Sequence, residues 1–313
     1  MSLPVLVLVL ILAIAALAVT SHYFVGNAIV FSERTGRSKI FTGVVVIGFG
    51  TSLPELATAA FASLGHHASV GVASSLGATV INLTVVAAIT AVTAMPKISS
   101  RTLKHEGLVS AIGVVIFVVG FVVLHLPFLF ALVPLGVFVI ATLLIVRSSG
   151  LDPDFEGEVP QESSSRSLFV IGMLCLGGLV GTLLAAQVFL DASMNIASLI
   201  GMPKVVAGSV ILSFGTALPE IASAIQAAIK KAPDLAVGNA LGSSFFNSLV
   251  AAPTAVLLDP HTRVSGVVFT SIFAVACAVV LYFMMWSGHR LSRSEGVVLF
   301  ALYAVFIGYS LMG

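Results

Sequence analysis

Residues 50–82 read GTSLPELATAAFASLGHHASVGVASSLGATVIN, and residues 215–247 read GTALPEIASAIQAAIKKAPDLAVGNALGSSFFN. The two segments align without a gap at an offset of 165 residues, and 12 of the 33 positions are identical. Shared Leu, Ala and Val follow from composition alone, but a shared Gly-Thr-x-Leu-Pro-Glu and a matched Gly and Asn do not. The chain therefore contains an internal repeat, the kind of signal that decides an architecture.

The composition around this repeat indicates a membrane protein. The 313 residues are 58% hydrophobic and 9% charged, with a mean hydropathy of +1.16, whereas globular domains carry about 25% charged residues. A net charge of +1 with dispersed charges excludes nucleic-acid binding, disorder and a coiled coil. Cys175 and Cys277 stand alone in apolar runs and form neither a disulfide framework nor a metal-ligand pair. The sequence predicts an all-α polytopic membrane protein.

Ten apolar stretches are long enough to cross a bilayer, which takes roughly 20 residues. The predicted spans are 3–30, 41–64, 69–94, 107–124, 127–146, 168–190, 205–229, 235–258, 264–286 and 295–312. Each repeat holds five spans, an odd number, so the second enters the membrane from the opposite side. We therefore predict two inverted-topology five-helix repeats, 1–146 and 168–313, joined by an acidic, Ser-rich linker at 147–167. Inverted repeats with interrupted helices are typical of secondary transporters.

The basic residues predict the orientation of these spans, because Lys and Arg accumulate in cytoplasmic loops. Alternate loops receive twelve and two of the fourteen. The two on the sparse side are Lys204 and Arg263, and the twelve on the other side are Arg34, Arg37, Lys39, Lys97, Arg101, Lys104, Arg147, Arg166, Lys230, Lys231, Arg290 and Arg293. This asymmetry places the linker in the cytoplasm and both termini outside it, in a multi-pass protein of the cell membrane.

Of the thirteen acidic residues, only Glu55 and Glu220 fall deep inside predicted spans, and the repeat makes them equivalent. A carboxylate at that depth costs at least about 2.5–3.5 kcal/mol, and no Lys or Arg falls at the same depth. We therefore interpret both residues as functional. Two such carboxylates would repel each other when brought together, and a divalent cation between them would neutralise both.

The residues around each glutamate suit a hard cation. Pro54 and Pro219 break the helix just before the carboxylate, so the carbonyls of 48–51 and 213–216 are expected to face a cavity. Ca²⁺ takes 6–8 oxygen ligands, which suits such a set better than the tight octahedron of Mg²⁺. An Asn follows each glutamate by 27 residues, at Asn82 and Asn247, about midway along the next span.

These motifs resemble the two α-repeats of the calcium/cation antiporter superfamily, in its prokaryotic sodium/calcium exchanger-type branch. Gly50 to Glu55 and Gly215 to Glu220 carry the resemblance, together with Gly77 to Asn82 and Gly242 to Asn247. It implies ten helices with an inverted repeat, four central ion sites, and exchange of Na⁺, or H⁺ in relatives, for Ca²⁺ by alternating access. The implied partners are these ions and the lipid bilayer, with no cofactor and a functional monomer.

The resemblance also implies ligands for each ion. It makes Glu55 and Glu220 the Ca²⁺ ligands. The neutral groups at the centre would be the carbonyls of Thr51 and Thr216 and the side chains of Asn82 and Asn247. One flanking Na⁺ site would combine Glu220 with Gly48, Thr51, Ser52 and Ser243. The opposite site would combine Glu55 with Ser213, Thr216, Ala217 and Ala78. The family usually has Ser at both of these alanines, and some relatives have Asp in place of Asn247.

Several functions fit these residues to different degrees. A Na⁺/Ca²⁺ antiporter is the first reading, because Thr51, Ser52 and Ser243 offer hydroxyl oxygens. An H⁺/Ca²⁺ antiporter, with the two glutamates as proton carriers, is the alternative that Ala78 and Ala217 leave open. An intramembrane hydrolase would need a nucleophile and a base near the glutamates, and none is visible, so we do not expect an enzyme. A cation channel would not require two broken helices in an inverted repeat.

Overall fold

The computed structural model describes residues 2–37, 41–124, 128–148, 166–199, 212–259 and 267–312. We number its main helical runs in chain order. They are α1 (Leu3–Thr35), α2 (Thr42–Leu64), α3 (Ala68–Ala94), α4 (Leu108–Phe121), α5 (Leu132–Ser148), α6 (Leu168–Leu199), α7 (Leu218–Ile229), α8 (Pro233–Leu258), α9 (Val268–Gly288) and α10 (Arg293–Met312). Most of the predicted linker and the first part of the predicted span 205–229 lie outside the described residues, as do Lys39, Lys204 and Arg263.

Six helices in the described ranges are long and apolar enough to cross a membrane. They are α1, α2, α3, α6, α8 and α9, and three shorter apolar helices, α4, α5 and α7, accompany them. The outer helices carry large exposed apolar side chains, among them Leu8, Ile140 and Phe169, as expected of surfaces that face lipid. The protein is therefore a multi-pass helical membrane protein, and a count of ten spans in two inverted repeats stays a prediction.

Two helices run further than their predicted spans. α1 continues from residue 30 to Thr35, and α6 continues from residue 190 to Leu199. Hydropathy marks the part of a helix that lies in hydrocarbon, whereas the backbone decides where the helix ends. α1 ends at Gly36, whose φ of 64° lies in the left-handed region that Gly adopts without strain.

A pair of peripheral helices and a bundle of the motif helices make up the architecture. α1 and α6 contact each other along their length, and the backbone of Phe24 lies only 2.7 Å from where a Cβ on Gly178 would be. Within the bundle, the first part of α2 contacts α8 and the rest contacts α3. Correspondingly, the Ser213–Thr216 segment before α7 contacts α3, and α7 itself contacts α8. The four motif helices therefore cross one another around a common centre.

Close backbone approach makes the crossing of α2 and α8 possible. A Cβ added to Gly242 would lie 2.6 Å from the carbonyl oxygen of Val44, and one added to Gly43 would lie 2.6 Å from that of Leu235. A Cβ on Gly48 would meet the amide nitrogen of Ser243 at 3.0 Å. We call this contact, formed by Gly43, Gly48 and Gly242, the glycine seam. Small residues allow helices to approach closely where lipid gives no hydrophobic drive for association.

The motif helices are not uniformly α-helical. π-helical stretches occupy Thr42–Gly48 in α2, Asn82–Val86 in α3 and Asn247–Ala251 in α8. Such wide turns occur mostly as local bulges, frequently at functional sites. Here two of the three begin at the asparagines that the sequence singles out.

Loop contacts agree with the predicted grouping of the basic residues. Arg34, at the end of α1, donates a 2.7 Å hydrogen bond to the carbonyl of Arg166, just before α6. Lys97 and Arg290 form an antiparallel β-bridge between the α3–α4 and α9–α10 connections. Residues assigned to one side of the membrane therefore meet in two places, while the side that faces the cytoplasm stays a prediction.

Candidate cation-binding site

Each repeated motif interrupts its helix one residue before the Leu-Pro-Glu sequence. Ser52 has φ −85° and ψ 9°, and Ala217 has φ −81° and ψ 1°. The prolines then occupy the first turn of the following helix, where a missing N–H costs nothing. Glu55 and Glu220 lie in the same first turns, so the positive end of each helix dipole favours their negative charge.

The carbonyls before each break differ from the sequence prediction. The amide of Ser52 donates to the Gly48 carbonyl at 3.3 Å, and the amide of Ala217 donates to the Ser213 carbonyl at 3.2 Å. These two carbonyls are therefore hydrogen-bonded by the backbone. Hydroxyl groups also donate to the same oxygens, Ser243 to Gly48 at 3.1 Å and Thr216 to Ser213 at 3.3 Å, so a cation that binds either carbonyl would replace a hydroxyl contact.

The motif glycines Gly50 and Gly215 pack closely against a neighbouring helix. A Cβ on Gly50 would lie 3.0 Å from Leu179, and one on Gly215 would lie 2.6 Å from Leu190. Both leucines belong to α6. The glycines thus bring the segments before the two breaks against this helix.

Hydroxyl groups line the site around Glu220. Ser52 donates a 2.8 Å hydrogen bond to Oε1 of Glu220, which joins the break in α2 to the first turn of α7. Ser243, on α8, donates to the carbonyl of Gly48 at 3.1 Å. Thr51 donates to the carbonyl of Ile47 at 2.8 Å. The structure therefore brings together the five residues that the resemblance assigns to one flanking site.

Asn239 is a buried site residue that the sequence interpretation missed. Its Nδ2 donates to the backbone carbonyl of Glu220 at 3.0 Å, and its Oδ1 lies 3.4 Å from the hydroxyls of both Thr51 and Ser243. It holds parts of α2, α7 and α8 together. The signal was its position four residues before Ser243, because residues i and i+4 share one face of a helix.

Methyl groups occupy the corresponding positions around Glu55. Ala78 and Ala217 are fully buried in one apolar cluster, against which Phe214 and Tyr303 pack. The Thr216 side chain lies near the Glu55 carboxylate, and its hydroxyl donates to the Ser213 carbonyl at 3.3 Å. The structure thus brings the predicted residues of this flank together, with the hydroxyls of Ser213 and Thr216 on the broken helix and methyl groups at Ala78 and Ala217.

The centre of the site contains oxygen atoms without hydrogen-bond partners among the described residues. They are both carboxylate oxygens of Glu55, Oε2 of Glu220, Oδ1 of Asn82 and Oδ1 of Asn247. All four side chains are fully buried, and the two carboxylates repel each other. Buried polar groups are nearly always paired, so these oxygens form a set of candidate ligands for a cation.

The helix contacts relate the asparagines to the glutamates across the repeats. The half of α2 that carries Glu55 contacts the stretch that begins at Asn247, and α7, which carries Glu220, contacts the stretch that begins at Asn82. Within the described residues, no group of three or more His, Cys, Asp or Glu side chains could hold a metal ion. Two carboxylates among neutral oxygens instead suit hard cations such as Ca²⁺ and Na⁺.

A helical membrane protein with two dehydrated carboxylates at the crossing of interrupted helices falls in the class of cation transporters. Comparison with known proteins defines the family. The sequence model described as "Sodium/calcium exchanger protein" matches residues 5–147 and 169–312. The chain therefore belongs to the sodium/calcium exchanger protein family, whose members are transporters rather than enzymes and whose substrates are ions.

Relatives of similar length support this assignment. An uncharacterised membrane protein of Methanocaldococcus jannaschii is 27% identical over 90% of this chain and 91% of its own length. The sodium/calcium exchanger MaX1 of Methanosarcina acetivorans is 23% identical over 96% of this chain and 97% of its own. The solved structure of the sodium-calcium exchanger NCX_Mj, soaked with Na⁺ and Sr²⁺, superimposes with a TM-score of 0.83 at 24% identity, and the match covers 98% of this chain and 99% of that one. The fold is therefore that of an exchanger, and the protein is a membrane antiporter of the cation/Ca²⁺ type.

Proposed function

We propose that this protein exchanges Na⁺ for Ca²⁺ across the cell membrane by alternating access, as a single chain. In this proposal, ten spans form two inverted repeats, 1–146 and 168–313, joined by the linker 147–167 in the cytoplasm, and both termini lie outside it. The matched family ranges, 5–147 and 169–312, support this division because they leave out nearly the same segment.

One observation carries the assignment of Ca²⁺. Glu55 and Glu220 are fully buried, and three of their four carboxylate oxygens have no partner among the described residues. No Lys or Arg side chain whose exposure the structure describes is buried. One divalent ion neutralises two negative charges that have no cationic side chain beside them, and Asn82 and Asn247 add neutral oxygens that raise the ligand number toward the 6–8 of Ca²⁺.

Na⁺ is the proposed counter-ion because oxygen ligands surround Glu220. The Ser52 and Ser243 hydroxyls and the Gly48 carbonyl lie in one hydrogen-bonded group with its carboxylate. A proton needs only the carboxylate itself, so this group has no role in proton exchange alone. The second candidate, H⁺/Ca²⁺ antiport, is favoured by the methyl-lined flank at Ala78 and Ala217.

Transport in proteoliposomes tests both candidates. Vesicles loaded with ⁴⁵Ca²⁺ are diluted into media that impose a Na⁺, H⁺ or K⁺ gradient, and Ca²⁺ release is measured. We expect release under the Na⁺ gradient and little under the others. Release driven by H⁺ but not by Na⁺ would establish the second candidate, and absence of release under every gradient would contradict Ca²⁺ antiport.

Single substitutions test the ligands. Glu55→Gln and Glu220→Gln each leave one negative charge against a divalent ion, so each should abolish Ca²⁺ transport. Asp191→Asn is the matched control, because Asp191 is an exposed carboxylate on α6 that accepts a hydrogen bond from Gln187. Normal exchange by either glutamate variant would refute the site, and loss of exchange in the control would show that the test lacks specificity.

A further inference from the structure

The repeat allows the two halves of the site to be compared position by position. The offset of 165 that aligns Glu55 with Glu220 also aligns Ser52 with Ala217 and Ala78 with Ser243. We call Glu220 with Ser52 and Ser243 the hydroxyl half, and Glu55 with Ala217 and Ala78 the methyl half. Each half takes one small residue from the repeat that carries its carboxylate and the other from the opposite repeat. An exchange of these two side chains therefore exchanges hydroxyl groups for methyl groups beside the carboxylate.

The hydroxyl half is a built site. Ser52 Oγ lies 2.8 Å from Oε1 of Glu220, and Ser243 Oγ lies 3.1 Å from the carbonyl oxygen of Gly48. Asn239 keeps this geometry by bonding the Glu220 backbone and lying against the Ser243 hydroxyl. Oε2 of Glu220 has no partner in the described part of the chain. Carboxylate, hydroxyl, carbonyl and amide oxygens therefore belong to one hydrogen-bonded group in which one acceptor is unsatisfied.

The methyl half cannot offer the same ligands. Ala78 and Ala217 are both 0% exposed, and their cluster includes Ile81 and Val85. Water could replace a missing hydroxyl only where two to four polar partners hold it, and apolar side chains surround these methyl groups. Thr216 supplies a hydroxyl that already donates to the Ser213 carbonyl. Ser213 supplies a second one, without a partner among the described residues, at the position where the hydroxyl half has Gly48, so this half still lacks the hydroxyls at positions 78 and 217.

From this difference we propose that the protein binds Na⁺ in the hydroxyl half only, so that it binds fewer Na⁺ ions than a site with two hydroxyl-lined halves would. The inference rests on the proposed function in one respect. If the protein exchanges Na⁺ for Ca²⁺, fewer bound Na⁺ ions give a shallower dependence of Ca²⁺ release on the Na⁺ concentration. Both carboxylates still bind Ca²⁺, which needs the charges of Glu55 and Glu220 and not the hydroxyls of either flank.

Ala78→Ser with Ala217→Ser converts the methyl half, and it is the decisive variant. Equilibrium binding of ²²Na⁺ to purified protein in detergent should show one more Na⁺ per chain in the double variant than in the wild type. Each added ligand contributes roughly fivefold in affinity, the usual scale for one polar contact. In proteoliposomes the Na⁺ dependence of Ca²⁺ release should steepen, more in the double variant than in either single one, because the two hydroxyls share one ion.

Ser52→Ala and Ser243→Ala are matched reverse variants, since each creates the residue found at the equivalent position. They should weaken ²²Na⁺ binding by roughly fivefold each on the same scale and weaken Ca²⁺ binding less, because the charges of Glu55 and Glu220 remain. Equal ²²Na⁺ binding by the wild type and the double variant would overturn the inference, as would unchanged binding in both reverse variants.

Two further readouts keep the result interpretable. In the double variant the two new serine hydroxyls lie in an apolar cluster and have no hydrogen-bond partner unless a cation binds, which costs stability. Added Na⁺ should therefore raise the melting temperature of the double variant more than that of the wild type. An unchanged Na⁺ response would count against the inference. The number of ²²Na⁺ ions bound per chain tests the inference that only the hydroxyl half binds Na⁺. Ca²⁺ release under imposed gradients tests the proposed function, so either can fail while the other stands.

Discussion

Replacement of Gly242 by Ala tests whether the glycine seam sets the geometry of the site. The added Cβ would lie 2.6 Å from the carbonyl oxygen of Val44 and 2.7 Å from its Cα. Carbon atoms in contact are about 3.5–4.0 Å apart, so α2 and α8 would have to separate locally by about 1 Å. Overpacking of this kind typically costs about 1–3 kcal/mol.

The same displacement would act directly on the next residue. Ser243 donates to the Gly48 carbonyl across the seam at 3.1 Å, and a shift of about 1 Å would take this contact beyond hydrogen-bonding distance. Gly242→Ala should therefore lower both the thermal stability and the rate of Na⁺-driven Ca²⁺ exchange.

Thermal unfolding in detergent and ⁴⁵Ca²⁺ release from proteoliposomes measure the two effects. Gly136→Ala in α5 is the matched control, because a Cβ there meets no atom within 4 Å and Ala is a better helix former than Gly by up to about 1 kcal/mol. Indistinguishable melting and transport in the two variants would refute the role of the seam.

Three other predictions concern the ligands. Ca²⁺ at 100 times its dissociation constant should stabilise the wild type by about 2.7 kcal/mol in detergent, which is measured as a rise in melting temperature. Glu55→Gln should abolish this rise, and an undiminished rise in the variant would argue against the site. Asn82→Ala and Asn247→Ala should weaken Ca²⁺ transport less than the glutamate variants, because each removes one neutral oxygen, and complete loss of transport in well-folded protein would contradict this ranking. Asn239→Ala should raise the Na⁺ concentration that gives half-maximal Ca²⁺ release, because it removes the side chain that donates to the Glu220 backbone carbonyl. Ser74→Ala, at the equivalent position of the first repeat, should leave this concentration unchanged. Equal effects of the two variants would argue against a positioning role for Asn239.

The sequence predicted the elements of the site whose signals are local. The depth of Glu55 and Glu220 follows from hydropathy, and their equivalence follows from the repeat. The pairing of Ser52 with Glu220 follows from neither, because it joins two segments 168 residues apart and depends on how α2 crosses α7 and α8; only the family resemblance predicted it. Asn239 was missed for a related reason, since the repeat places Ser74 opposite it and the alignment therefore gave it no weight.

Helix lengths and wide turns show a second limit of the sequence. The end of α1 at Gly36 is set by a backbone angle that hydropathy does not contain. The π-helical stretches at Asn82–Val86 and Asn247–Ala251 change only which amide bonds to which carbonyl. Their apolar composition is the same as that of the α-helical turns on either side.

The π-helical stretch at Asn82–Val86 has the effect of one extra residue inserted into an α-helix. It rotates every later position of α3 by about 100° around the helix axis. Before it, α3 contacts the Ser213–Thr216 segment. After it, Ala88 and Ala91 lie against Gly296 of α10. Deletion of a single codon within 83–86 would leave the hydropathy profile almost unchanged, yet it would turn the second half of the helix away from α10. Two chains that differ by one apolar residue here would look alike in composition and differ in which neighbour that half of α3 can reach.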